Sequence, residues 1–106
     1  MKQTPLSELT FARFAAQLNQ SFHVLGHPGA SVDLQLRQAD LHPANSSATS
    51  SAESFSIVFR GPLVPLLPQG TYTFANAALG AFDLFIVPVR KDREGVYYEA
   101  VFNRLV

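Results

Sequence analysis

A mainly β (α+β) fold is predicted for this 106-residue chain: one N-terminal helix and about six antiparallel strands forming a small barrel or two-layer sandwich. Three observations predict it. Apolar residues recur at helical spacing only in the first twenty-two positions. From Ser21 onward they recur with period two, in short runs separated by Gly, Pro and Ser. No helix-length stretch lies between those runs, which favours antiparallel pairing because parallel strands need long crossovers. The length fits a single domain, 1–106, since domains most often hold about 100–150 residues.

Phe11, Phe14, Ala15, Leu18 and Phe22 fall at i, i+3, i+4, i+7 and i+11, which puts them on one face of a helix predicted over 7–20. Ser7 is the first choice of N-cap, with Glu8 placed against the dipole, and Thr10 is the second choice. Arg13, Gln17 and Asn19 occupy the polar face. Phe22-His23-Val24 begins a strand over 22–25, closed by the turn signal Gly26-His27-Pro28-Gly29. Val32, Leu34 and Leu36 alternate with Asp33, Gln35 and Arg37, predicting a half-buried strand over 31–39. Phe55, Ile57 and Phe59 do the same over 54–60, and Thr71-Tyr72-Thr73-Phe74 lies in a fourth strand over 71–75. The run from Phe82 to Val89 is apolar on both faces for much of its length, as expected in a central or closed sheet. Tyr98, Ala100 and Phe102 oppose Tyr97, Glu99 and Val101 in the last strand, 96–104, joined to its predecessor through Lys91-Asp92-Arg93-Glu94-Gly95 as a hairpin. The segment 41–52, rich in Ser and Ala, reads as a flexible loop, because its small polar residues bury too little to offset the entropy of ordering.

Composition removes several functions. Eight Lys+Arg balance eight Asp+Glu, so neither a nucleic-acid site nor a polybasic membrane surface is expected. The chain has no cysteine, which excludes disulfides, thiolate catalysis, thiolate zinc sites and cysteine-ligated clusters. Hydrophobic content of 47% against 15% charged residues excludes general disorder. Residues 1–8 place no apolar core behind Lys2, and no window reaches the length of a membrane span, so the expected location is cytoplasmic. The sequons at Asn19 and Asn45 carry little weight without a secretory signal.

The residues that could carry chemistry have simpler explanations. His23 and His27 share the i, i+4 spacing of helical zinc ligands, but Gly26 and Pro28 preclude a helix there. Convergence of that pair with Asp40 or His42 is the arrangement left, against solvent-exposed turn histidines. Asp83 and Glu99 lie on strands expected to pair, yet each also fits the solvent face of its alternation. Tyr72, Tyr97 and Tyr98 could form a stacking surface, without the basic surround that nucleic acid requires. Serines concentrate in 41–52, where nothing holds a nucleophile against a base, and no Gly-x-Ser-x-Gly or phosphate-binding glycine loop occurs. No catalytic residue, metal site or cofactor is expected.

The stretch Gly61-Pro62-Leu63-Val64-Pro65-Leu66-Leu67-Pro68-Gln69-Gly70 is the most unusual. Its three prolines rule out an interior strand, since each lacks a ladder donor. Leu63, Val64, Leu66 and Leu67 either cap one end of the core or stand out as an apolar ledge for another protein. Leu67-Pro68-Gln69-Gly70 then turns the chain back.

The run Phe59-Arg60-Gly61-Pro62, Leu67-Pro68-Gln69-Gly70-Thr71-Tyr72-Thr73-Phe74, Leu79-Gly80, Phe85-Ile86-Val87-Pro88-Val89 and Tyr98-Glu99-Ala100-Val101-Phe102-Asn103-Arg104, with the spacing of Phe11, Leu18 and Phe22, resembles a family of short bacterial β-rich proteins classed as a domain of unknown function. The resemblance covers most of the chain and departs from it at 41–52. Members of that family often stand beside genes for phage-tail-collar-like proteins, which implies an accessory or assembly role in a tail-like structure. The family supplies no catalytic residues.

The expected function is therefore a non-enzymatic interaction or assembly module whose partner is another protein, a second copy of the chain included, met through Leu63, Val64, Leu66 and Leu67. The alternative is a barrel holding a small apolar ligand, although about six strands usually fill with side chains and nine phenylalanines suit a filled interior.

Overall fold

A computed structural model describes residues 4–5, 8–25, 31–42 and 53–104. The described residues are mostly β, with one short helix, α1 (Phe11–Ala15), and six strands: β1 (Ser21–Leu25), β2 (Val32–Leu41), β3 (Glu53–Gly61), β4 (Gly70–Asn76), β5 (Gly80–Asp92) and β6 (Gly95–Arg104). All pairings are antiparallel, and the strands follow one another in the order β1-β2-β3-β6-β5-β4, with β4 returning to β1. The sheet thus closes on itself, so that every strand has a neighbour on both sides.

Alternation decides what lies inside the ring. Phe22 and Val24 of β1, Val32, Leu34 and Leu36 of β2, and Phe55, Ile57 and Phe59 of β3 are buried, as their period of two predicts. Phe74, Phe82, Leu84, Ile86, Tyr98, Ala100 and Phe102 complete the interior. The rings fill it: Phe55 stacks on Phe102 at 4.5 Å, Phe22 meets Phe59 edge-on at 5.1 Å, and Phe59 approaches Phe74 at 5.2 Å between centroids. Such ring pairs contribute about 0.5–1.5 kcal/mol each beyond area burial.

The helix is shorter than the period predicts. Only Phe11–Ala15 is α-helical, and Thr10 is the N-cap, its hydroxyl accepting the Arg13 N–H at 3.3 Å. Ser7 lies outside the described residues. The helix is ended by the sheet. Asn19 adopts a φ of 70°, a left-handed conformation that Asn tolerates, and donates its N–H to the Leu36 carbonyl at 2.6 Å. Leu36 returns its own N–H to Gln20 O at 3.1 Å, so backbone groups that would have continued the helix are taken by β2. Leu18, expected on the buried face, is consequently exposed, and Phe22 belongs to β1. Phe14 alone is fully buried from α1, touching Phe22, Phe55, Phe82 and Phe102 with centroids 5.4–6.4 Å away.

Strand ends also differ from the periodic reading. β2 extends through Leu41, and the His42 N–H still donates to Ser54 O, so two positions expected in a loop belong to the β2–β3 pair. The remainder of that expected loop, 43–52, lies outside the described residues. The β5–β6 hairpin is tighter than predicted, with only Arg93 and Glu94 between the strands and the Asp92 carboxylate accepting the Glu94 N–H at 2.8 Å. Gly95 is required there, because a Cβ would collide with the carbonyl oxygen of Gly61. Pro88 is tolerated in the middle of β5 for a geometric reason. β4 begins at Gly70 opposite Ile86, so the missing Pro88 N–H falls past the end of that ladder.

Candidate functional site

The Gly61–Gly70 segment crosses one end of the ring, and α1 closes the other. On β3, Gly61 marks the first end and Phe55, against which Phe11 and Phe14 pack, marks the second. Gly61 is tightly enclosed, since a Cβ there would run into the Leu34 side chain. Beyond it the four aliphatics divide. Leu67 is 0% exposed, whereas Leu63, Val64 and Leu66 are 41%, 82% and 55% exposed. One leucine thus caps the core, and three side chains stand exposed beside it as a ledge. Leu67 is therefore out of reach of a partner, contrary to its place among the four expected contact residues.

Two tyrosines hold the ledge to the ring. Tyr98, fully buried, accepts the Leu67 N–H on its hydroxyl oxygen at 3.0 Å. Burial raises the Tyr98 phenol above its ordinary value, opposed by the Leu67 hydrogen bond and reinforced by Tyr72 nearby. Tyr72 donates its hydroxyl to Pro68 O at 2.6 Å. A bend at Gln69 then returns the chain to β4. Tyr97 does something else, lying beneath the Arg90 guanidinium at 3.9 Å. Tyr98 and Tyr72 accordingly anchor one segment while Tyr97 packs on Arg90, and the three do not make one stacking surface.

The histidines are kept apart by the strands. His23 sits opposite Asp33 in the β1–β2 register, with Nδ1 2.7 Å from Asp33 Oδ1. His42 lies nine residues along from Asp33, about 30 Å at the rise of a strand, so His23 and His42 cannot share an ion. The Asp40 carboxylate accepts from Gln38 Nε2, and His27 lies outside the described residues. Among the described residues, no group of three or more His, Asp or Glu could hold a metal ion.

Asp83 and Glu99 line one surface groove of about 400 Å³ with Phe85, Val87 and Val101, but Glu99 pairs with Val87, four residues along β5 from Asp83, about 13 Å at the rise of a strand, so the two carboxylates are not brought together. Asp83 accepts the Thr73 hydroxyl at 2.7 Å across the β4–β5 pair. Periodicity missed this groove because it depends on where two strands separate. The apolar outer residues of 84–89 were its one trace in the sequence, read there as a sign of a central or closed sheet. Phe85 and Val89 in fact face solvent.

A closed antiparallel ring plugged by a short helix and topped by an aliphatic ledge defines the chain as a mostly β protein. It belongs to a family described as a domain of unknown function (DUF6916), whose model matches residues 9–102. No curated protein and no solved structure matches it. Among the described residues, no helix is long and apolar enough to cross a membrane.

Proposed function

We propose that this protein is a non-enzymatic interaction module that docks another protein on the ledge of Leu63, Val64 and Leu66. The observation that carries the reading is the division within one short segment: three aliphatic side chains face water while Leu67 and Pro68 are held by Tyr98 and Tyr72. Exposed apolar side chains grouped in this way mark contact surfaces more often than isolated ones do. Anchoring supports the reading further, because a surface already ordered loses less entropy when it binds.

The resemblance noted in the sequence extends the proposal. In a bacterial host the partner would be a component of a phage-tail-like assembly, and the protein would act in the cytoplasm where such structures are put together. The test is affinity capture from the native host with the wild-type chain and the Leu63→Asp/Leu66→Asp double variant. Capture of a defined partner by the wild type and its loss in the double variant, with an unchanged circular dichroism spectrum, is the expected result. A double variant that still captures the same partner removes the ledge from the interface.

A further inference from the structure

The chain is neutral in total, but its charges are unevenly placed. Arg60, the residue before Gly61, pairs with Gln35 of β2 on one side and Tyr97 of β6 on the other, and Arg90 pairs with Tyr97 in turn. These four residues make one row across four strands at the ledge end of the ring, with Arg37 beside it. The end of the β5–β6 hairpin adds Lys91 and Arg93, and it lies against Gly61, because a Cβ at Gly95 would meet the Gly61 carbonyl oxygen. Two acids answer these five cations: Glu94 holds Arg60 at 3.0 Å, and Asp92 lies 3.7 Å from Arg90. Asp33, two residues before Gln35, is taken up with His23 at 2.7 Å. Among the described residues, Arg37, Lys91 and Arg93 have no carboxylate partner.

Arg37 is held toward Arg60. It is the extra residue of a bulge in β2, since Leu36 pairs with Phe59 and Gln38 with Val58. Its Nη1 donates to Gln35 Oε1 at 3.2 Å and to Asn19 Oδ1 at 3.4 Å, and Arg60 Nη2 donates to the same Gln35 oxygen at 3.0 Å. Gln35 keeps that oxygen toward the arginines because its Nε2 donates to the Asn19 carbonyl at 3.0 Å. Asn19 is fixed in turn by its backbone bond to Leu36. Two like charges therefore stand side by side on one neutral acceptor. Arg37 spends one of its three nitrogens there, which leaves Nη2 and Nε as donors for an anion.

We propose that Arg37 and Arg60 are the carboxylate-binding part of the partner interface, so that the segment docking on the ledge carries aspartate or glutamate beside its apolar anchors. The inference rests on the ledge reading. Leu63 follows Arg60 by three residues, at most about 10 Å of chain, so one short segment spans both. A partner carboxylate there exchanges with Glu94, whose side chain is 66% exposed, and gains the unused donors of Arg37. A nucleic acid suits the row less well, because the buried Tyr97 ring lies under Arg90 and offers bases nothing to stack on.

Amide and arginine side-chain NMR of the full chain, titrated with acetyl-Glu-Glu-Glu-Gly-Leu-Leu-Leu-amide and with its Gln counterpart, tests the proposal. The Glu peptide is expected to bind more tightly, shifting the Nε–H signals of Arg37 and Arg60 together with the amides of Leu63, Val64 and Leu66. That advantage should vanish in about 1 M sodium chloride, where charges are screened within about 3 Å. Arg37→Gln should weaken the Glu peptide about two- to fivefold, the size of an exposed charge pair, and leave the Gln peptide as it was. Arg13→Gln, at the α1 end, should change neither, and a dispersed spectrum shows that each variant keeps the fold. Equal binding of the two peptides with shifts at Leu63–Leu66 overturns this inference and spares the ledge. Shifts confined to the two arginines, or no shift at millimolar peptide, overturn the ledge reading and this inference with it. A short oligothymidylate that binds the arginines more tightly than the Glu peptide at equal ionic strength would assign them to phosphate and overturn the inference as well.

Discussion

The two ends of the ring are both closed by apolar stretches of chain, but the closures differ in kind. At the α1 end Phe14 is buried among four other rings and Phe11 packs half-buried on Phe55, so the segment is spent on the core. At the other end a single leucine, Leu67, enters the interior, and its neighbours Leu63, Val64 and Leu66 remain in water. A helix can sink one face because its side chains converge every turn. A proline-broken segment has no such face, so it anchors at one point and presents the rest. The lesson is that equal hydrophobicity at two closures does not mean equal burial; local backbone geometry decides how much can be turned inward.

The largest test of this contrast is Phe14→Ala. Removing a ring packed against four others should cost about 3–5 kcal/mol in urea unfolding. A loss below about 1 kcal/mol, the size of a typical substitution, would mean that the helix end is not part of the cooperative core.

A smaller effect is expected at the ledge end. Tyr98→Phe leaves the Leu67 N–H buried without its acceptor, at a cost of about 1–3 kcal/mol. Leu66→Asp, on the exposed side of the same segment, should change stability by no more than about 0.5 kcal/mol. Similar losses in the two variants would erase the distinction between anchor and ledge. Tyr98 also predicts an alkaline limb. Its phenol is raised above the ordinary 10.0, so the folded state favours the neutral form. That contribution is whole below pH 10.0 and is lost as pH rises through the raised value. Comparing unfolding midpoints of wild type and Tyr98→Phe across this range should show the limb only in the wild type.

The smallest effect belongs to the hairpin that stands beside the ledge. Chiefly through the Glu94 N–H, the Asp92 carboxyl is held below its ordinary value of 3.8. A depressed carboxyl stabilises the fold above its unfolded pKa and loses that contribution as pH falls through the folded one. Hydrogen exchange at the Glu94 amide should therefore quicken, relative to the rest of β5 and β6, as acidification passes below pH 3.8. Asp92→Asn, which keeps an acceptor without a charge, should flatten the dependence; an unchanged acid profile in that variant would assign it to another group.

Much of the architecture was legible because side-chain direction is local. Alternation at Val32, Leu34 and Leu36, or at Phe55, Ile57 and Phe59, states which side of a strand faces inward wherever the partner lies. The prolines at 62, 65 and 68 likewise marked a stretch unable to join a ladder. Leu18 misled because helical spacing says nothing about competition for backbone groups, and Leu36 won that competition at Asn19 and Gln20. The apolar run over 82–89 pointed correctly to a closed sheet, but it could not say whether the outward side chains are covered, and Phe85 and Val89 are each 51% exposed.

By itself the sequence determined the succession of one helix and six strands, the inward faces of those strands and the place of the proline-rich crossing. Only the tertiary structure decided where the helix ends, which of four neighbouring aliphatics turns inward, and where β5 leaves β6. The physical reason is range. Periodicity and proline act on a residue through its own backbone, whereas termination and separation depend on which distant strand takes a given N–H or C=O first.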